Sequence, residues 1–308
     1  MSKMKKIISI SLAVVISLGA LIFLCCCDPN IQVYVDGVYA VINISMRTAT
    51  VYAFDKDESV STYEPQVCYV PETISYNNKV YTVTQLSRYS YDRDLVVGGH
   101  AKKIVIPQTV TDIYLFSFDM SDTFDYLEEI EVHPDNENYS TFGGALYSKD
   151  YSTLIMYPPA KRDITMYIRN EVTAIYDNQW NYRNKYVENV IVGAGNTVFS
   201  DVDGVLLSNN GTRLEYVPYS HSAILELPDG VQTIAKWSLR YANIDHMYLP
   251  QSVLYVAYVD GVEYNPLRYV AHLYFEEQEP QCIYGLDGYL NDVHLGVSRE
   301  DFYDMVKQ

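Results

Sequence analysis

The chain has 308 residues and carries 39 acidic against 22 basic side chains, a formal net charge of −17. Such a charge repels phosphate backbones and anionic lipid headgroups, which argues against nucleic acid as a partner. With only five cysteines in so long a chain, stability must come from buried apolar surface rather than from disulfides.

In chain order, Lys3, Lys5 and Lys6 precede an apolar run over residues 7–24 that ends in Cys25-Cys26-Cys27. A basic start followed by an apolar stretch predicts an export signal over residues 1–26. Leu24, three residues before Cys27, resembles the bacterial lipoprotein box, which implies a lipid on Cys27. The alternative is an uncleaved signal anchor, since the run is just long enough to span a bilayer. Either way the body lies outside the cytoplasm, membrane-anchored at the cell surface or outer membrane. Cleavage before Cys27 would remove three lysines and take the charge from −17 to −20.

Residues 33–41 and 44–54 alternate in polarity, which predicts two strands around Asn43 with a bend or bulge at Asp36-Gly37. They form an N-terminal β-cap within residues 27–66, followed by an acidic loop over 55–64.

From residue 67 a phrase recurs: an apolar residue, any residue, an apolar residue, Pro, two residues, Val, two residues, Ile. It reads Ile104, Ile106, Pro107, Val110, Ile113, then Leu225, Leu227, Pro228, Val231, Ile234, then Met247, Leu249, Pro250, Val253, Val256. Met166, Ile168, Arg169, Val172, Ile175 keeps the apolar positions and loses the proline. Period-two alternation predicts a short strand, and Pro ends it because it has no N–H to give to a ladder. Eight residues after the Val stands a bulky inward plug, as in Val83 to Tyr91, Val110 to Phe118, Val172 to Trp180 and Val231 to Leu239. Fixed spacing in distant segments predicts a β-rich solenoid over residues 67–295, whose coils are stable only when stacked.

Two inserts interrupt it, near 134–158 and 194–218. Asn136, Ser140, Gly144, Leu146, Ser148, Leu154 and Pro158 recur 60 residues later as Asn196, Ser200, Gly204, Leu206, Ser208, Leu214 and Pro218. Each reads as a strand running into a polar turn, Asn210-Gly211 in the second copy, and a returning strand over 153–157 or 213–217. We expect hairpins protruding from the solenoid. Residues 259–264, 272–275 and 282–284 read as closing strands. Within 296–308, Ser298 as N-cap, acids in the first turn and Phe302, Met305 and Val306 at helical spacing predict a short C-terminal helix. Cys68 and Cys282 fall near opposite ends and are expected to be free, buried thiols.

The segment from Ile104 to Ile113, with Phe118 after it, resembles the BspA-type leucine-rich repeat, and the Asn-to-Pro insert resembles inserts common in that family. The likeness covers roughly residues 67–256. The usual Ala-Phe pair is replaced by Ser117-Phe118, Ser90-Tyr91, Gln179-Trp180 or Ser238-Leu239, and the customary cysteine after it is absent. The resemblance implies a leucine-rich-repeat horseshoe with few helices on a bacterial surface, where some members are adhesins. It carries over no catalytic residue.

The remaining candidates for chemistry are thin. Asp201-Val202-Asp203-Gly204 and Asp135-Asn136-Glu137-Asn138 lack the other ligands of a calcium loop and read as turns. The histidines at 100, 133, 221, 246, 272 and 294 show no clustered ligand spacing, so no metal is expected. Gly193-Ala194-Gly195 lacks the third glycine of a dinucleotide loop, and no Gly-x-Ser-x-Gly elbow is present. The reading is a non-catalytic, monomeric surface-binding or adhesion protein with no cofactor, whose partner is an extracellular protein. The alternatives are a glycan-binding accessory lipoprotein and a secreted hydrolase. The 31 tyrosines suit either interface, although Tyr91, Tyr147 and Tyr157 occupy positions that should be packed.

Overall fold

The computed structural model describes residues 30–54, 66–87, 101–114, 126–176, 183–208, 210–256, 266–276 and 292–307. The export signal, Cys27, the loop at 55–64, His100, the plugs Tyr91, Phe118 and Trp180, the strands expected at 259–264 and 282–284, and Cys282 lie outside them.

The repeats fold into two rows of parallel strands. The first row holds β4 (Gln66–Tyr69), β7 (Ala101–Ile106), β9 (Glu129–Val132), β13 (Thr165–Ile168), β15 (Asn189–Val192), β19 (Ile224–Glu226), β21 (His246–Leu249), β23 (His272–Phe275) and β24 (Asp292–Leu295). They form three ladders, β4-β7-β9, β13-β15 and β19-β21-β23-β24. The second row carries the last apolar letter of each phrase. It holds β3 (Thr48–Phe54), β6 (Lys79–Leu86) and β8 (Asp112–Ile113), then β12 (Thr153–Met156) with β14 (Ala174–Ile175), then β18 (Arg213–Tyr216), β20 (Thr233–Ile234) and β22 (Tyr255–Val256).

Between the rows the chain turns at the Pro-x-x-Val corner. The amides of Val172, Val231 and Val253 each donate back to the carbonyl three residues earlier, of Arg169, Pro228 and Pro250. The Val side chains point inward, and Val83, Val110, Val172, Val231 and Val253 are all buried. Leu239 is a buried plug, as its spacing predicts. Each fully buried aliphatic side chain contributes on the order of 1.5–3 kcal/mol.

Corner carbonyls have no ladder partner, and three asparagines supply one. Asn136 Nδ2 donates to the carbonyls of Pro107 (2.8 Å) and Val110 (2.9 Å), while its Oδ1 accepts from the amides of Asn138 and Tyr139. Asn196 does the same to Arg169 and Val172, and its Oδ1 accepts from Val198 and Phe199. Asn184 donates to Pro158 and Lys161 and accepts from Tyr186 and Val187. One amide side chain thus saturates four backbone groups across two successive coils.

The cap differs from the expected two strands. Asp36 and Gly37 both have positive φ (50° and 78°), the requirement of a tight type I′ turn, so β1 (Asn30–Val35) and β2 (Val38–Asn43) form a hairpin where a bend was expected. β2 pairs with β3, which then continues the second row by pairing with β6, itself folded back on β5 (Thr73–Tyr76) as an antiparallel neighbour. Val33, Ala40, Ile42 and Val51 join the core of the first coils.

The inserts do not protrude. Each is a three-stranded meander, β10 (Tyr139–Phe142), β11 (Ala145–Ser148) and β12, or β16 (Phe199–Val202), β17 (Val205–Ser208) and β18, whose last strand enters the second row. Both faces of β11 are buried: Leu146 faces the core below it, and Ala145 and Tyr147 face the next one. β17 repeats this, with Leu206 on one side and Val205 and Leu207 on the other. The turns that lead into them dock on the first row, where Gly144 O accepts from Ile130 N (2.8 Å) and Gly204 O from Val190 N (2.9 Å). Both glycines have φ near +80°, and a Cβ on Gly204 would lie 2.5 Å from Asn189 Oδ1.

Cys68 is free and buried in the first core, and burial pushes its thiol up to about 11. Its thiolate fraction at neutral pH is therefore very small, and a thiol reagent should modify Cys68 in the native chain only on the timescale of opening. Mass-spectrometric mapping of labelled cysteines with and without denaturant checks this. Asn136→Ala and Asn184→Ala each leave four backbone groups without their partner and should cost about 2–4 kcal/mol. Thermal or urea unfolding should show the loss, whereas removal of an exposed asparagine such as Asn243 should change little.

Candidate binding surface

In the first row, letters that alternate with the core letters point outward, and their character changes along the solenoid. On the first ladder, Lys103 of β7 sits beside Glu129 and Glu131 of β9, with Nζ–carboxylate distances of 3.1 and 2.5 Å. Hydrogen bonds to Glu131 and Glu129 raise the lysine pKa, so it stays charged. Between β7 and β9 the outward surface is charged and paired, while on β4 Val67 and Tyr69, in register with Lys103 and Val105, are exposed apolar side chains.

On the second ladder the outward apolar side chains meet one from an insert. Tyr167 of β13 pairs in register with Ile191 of β15, and both point outward with 43% and 48% of their surface exposed. Phe142, at the end of β10 in the first insert, is 42% exposed with its ring 6.3 Å from that of Tyr167. Three large apolar side chains therefore lie side by side in solvent. Arg169, which stands where the other phrases have proline, passes between two rings, its guanidinium carbon 4.5 Å from the Phe142 centroid and 4.4 Å from that of Tyr151. Its Nη2 bonds Glu171 at 3.0 Å. Loss of the proline in a single phrase was the signal in the sequence that pointed here.

On the third ladder a helix covers the outward tyrosines. Helix α1 (Arg299–Val306) forms with Ser298 as its N-cap, whose Oγ accepts from Asp301 N (3.1 Å). It lays Phe302 across the outward residues Tyr248 of β21 and Tyr274 of β23, with ring centroids 5.4 and 5.0 Å away. Arg299 fixes the helix to Glu226 (2.7 Å) and Asp229 (2.8 Å), and Tyr303 also donates to Glu226. Of the three apolar residues at helical spacing, Phe302 is buried and Val306 packs beside it, while Met305 is exposed.

Next to the helix, the ladder assembles side chains that lie far apart in sequence. His246, His272 and Asp292 share one rung, and Tyr248, Tyr274 and His294 the next. His272 Nδ1 lies 3.4 Å and His294 Nε2 3.2 Å from the same oxygen, Oδ2 of Asp292. The rings of His246 and His272 stack at 4.7 Å and 14°, and those of Tyr274 and His294 at 4.5 Å and 8°. Burial, and then the neighbouring His272, hold His246 below the ordinary histidine value. Chain spacing showed no such cluster; parallel register creates it.

The other motifs resolve as turns. Asp201 Oδ1 accepts from Val192 N (2.7 Å) and closes the edge of β15, while Asp203-Gly204 is the β16–β17 turn. Gly193-Ala194-Gly195 is a turn packed on Asn170. Tyr147 and Tyr157 are buried, whereas exposed tyrosines are spread over the cap (Tyr34), the first coil (Tyr69) and the second row, in β22 (Tyr255) or directly after β8 and β14 (Tyr114, Tyr176). A concavity of about 360 Å³ beside the second insert is lined by Phe199, Ser208, Arg213, Glu215, Lys236 and Trp237, among others. There the Glu215 carboxylate already accepts from Ser208 Oγ and Arg213 Nε, the latter at 2.8 Å.

No family model and no curated protein matches the sequence. Among solved structures the chain is similar to the pneumococcal vaccine antigen PcpA, at 13% identity and a TM-score of 0.45 over 87% of this chain and 86% of that one. It is also similar to a leucine-rich repeat protein from Eubacterium ventriosum (13%, 0.42, 85% and 83%) and to a leucine rich cell surface protein from Faecalibacterium prausnitzii (13%, 0.36, 90% and 97%). The fold is a leucine-rich-repeat type of solenoid. That statement rests on the stacked parallel rows and the recurring phrase of this chain.

Because Phe302 is the apolar anchor of α1, Phe302→Ala should cost about 3 kcal/mol locally. Hydrogen exchange should then speed up in residues 299–306 and in β23 and β24, with the first two ladders unchanged.

Proposed function

We propose that this is an exported, lipid-anchored, non-catalytic surface protein that binds another extracellular protein through the outward patch of Phe142, Tyr167 and Ile191. The carrying observation is that Tyr167 and Ile191 lie in register at outward positions beside the exposed Phe142, with Arg169 stacked on the Phe142 ring. Exposed apolar groups that touch one another and have a charged rim are the usual makeup of an interaction site. Arginine and aromatic residues are also the types that most often carry binding energy. Arg169 held between two rings is preorganised for that role, since less side-chain freedom remains to be lost on binding.

The acidic body selects the partner's charge: a basic rim around an apolar centre would be steered toward it. A glycan fits less well, because the Phe142 and Tyr167 rings meet at 50° rather than forming a flat platform for a sugar face. A hydrolase has little support in the concavity beside the second insert, where the carboxylate is engaged by its neighbours. The segment ending at Cys27 supports the anchoring reading. A lipid there, followed by the cap, would leave the patch away from the membrane for a monomer acting without a cofactor.

The mature chain, immobilised and presented with extracellular and cell-surface protein fractions, should bind saturably and more weakly as salt rises. Ile191→Asp and Arg169→Ala should each weaken binding by about tenfold or more, near 1.4 kcal/mol, with unchanged circular dichroism. Tyr69→Ala, on another ladder, should not. Absence of saturable binding to every fraction, or wild-type affinity in the Ile191→Asp variant, would sink the proposal. For the anchor, Cys27→Ala should abolish incorporation of labelled fatty acid and release the protein from membranes; retained label would move the site to another cysteine.

A further inference from the structure

We propose that His272, Asp292 and His294 form a binding site for a divalent transition-metal ion of the Zn²⁺ type. Their three ligand atoms all lie within 4.8 Å of one another. A zinc ion bound at about 2.0–2.2 Å to tetrahedral ligands holds them about 3.3–3.6 Å apart. The separations here, 3.4 Å from His272 Nδ1 and 3.2 Å from His294 Nε2 to Asp292 Oδ2, are close to the edges of that tetrahedron. Both imidazole nitrogens lie within 3.4 Å of a single carboxylate oxygen, so three ligand atoms share one small volume.

The surroundings hold the donors in that arrangement. The face of His272 lies on His246, and the face of His294 on Tyr274, so neither ring is free to swing while its nitrogen edge stays open. Tyr274 is itself fixed twice, by Phe302 at 5.0 Å and by its hydroxyl 3.0 Å from His246 Nδ1. Such supporting contacts set ring orientation in metal sites. All three ligands come from adjacent strands of a parallel ladder, which is a stiffer base than a loop. They are partly exposed, with side-chain exposures of 37%, 47% and 27%, so an ion can enter from solvent and remaining positions are left for water or an outside donor.

The chemistry of the set selects the ion. Two imidazoles and one carboxylate suit Zn²⁺ and its first-row neighbours, whereas Ca²⁺ and Mg²⁺ call for six or more oxygens. The net charge of −17 raises the local concentration of any divalent cation. Bound there, the ion ties β24 to β23 and so closes the last described rung of the ladder. The proposal is independent of the apolar patch on the second ladder.

The test uses the tag-free full chain in detergent, with Zn²⁺ followed by calorimetry and Co²⁺ by its visible absorption. One equivalent of Zn²⁺ should bind, excess Ca²⁺ or Mg²⁺ should not displace it, and thermal unfolding should shift upward. Co²⁺ should give d–d bands without the near-ultraviolet charge-transfer band of a cobalt–thiolate bond, which separates this site from the cysteines. His272→Ala and His294→Ala should each weaken Zn²⁺ binding by at least about tenfold, and His133→Ala should leave it unchanged. Asp292→Asn, which keeps the side-chain shape, covers the case in which a histidine variant does not fold. Failure of the wild-type chain to bind Zn²⁺ saturably would overturn the proposal. So would a thiolate band with Co²⁺, or folded variants that bind as tightly as the wild type.

Discussion

The structure turns on how a chain that reverses direction in every coil disposes of its backbone carbonyls. The strands between corners are served by their ladders, but the carbonyls at a corner lie off the ladder, whether it begins with Pro107 or with Arg169. Asn136, Asn184 and Asn196 meet this need from the following coil, each with two donors and one doubly used acceptor. The same side chains decide where the chain goes next. The Oδ1 of Asn136 holds the amide of Tyr139, the first residue of β10, and that of Asn196 holds Phe199, the first residue of β16. Both inserts therefore depart from a fixed point in the coil.

That departure shapes the rest of the molecule. Because β11 and β17 are apolar on both faces, each insert becomes a wall shared by two cores instead of an appendage. The stack is thereby divided into three ladders in its first row, and the turn into each wall closes a strand edge that would otherwise stand open. The first insert has one more consequence: it delivers Phe142 from β10 to the side of Tyr167 on β13, neighbours in space that belong to different sheets.

One set of outward positions then serves three purposes. On the first ladder a lysine between two glutamates makes a solvated, paired surface. On the second, Tyr167 and Ile191 beside Phe142 leave apolar area uncovered. On the third, the tyrosines are roofed by α1, and the histidines at its margin are gathered by register. The core letters hardly change from coil to coil, because stacking demands like on like. The outward letters carry no such demand, and function is free to differ there.

Which side chains form the core is legible in the sequence, since period-two alternation, the proline corner and the recurring Val have the same meaning wherever they occur. Val110, Val172, Val231 and Leu239 are buried as their positions in the phrase require, and Ser298 caps the helix it announces. The sequence also carries the apolar runs Ala145-Leu146-Tyr147 and Val205-Leu206-Leu207, whose lack of alternation is the mark of a strand buried on both sides. What the outward letters face is set by contacts between distant segments. Asp292 stands 20 residues after His272 in the chain and beside it in the ladder, and Phe142 reaches Tyr167 across a sheet boundary. Pairing register and the docking of an insert are set by the sum of all contacts along a strand, so no local pattern of residues records them.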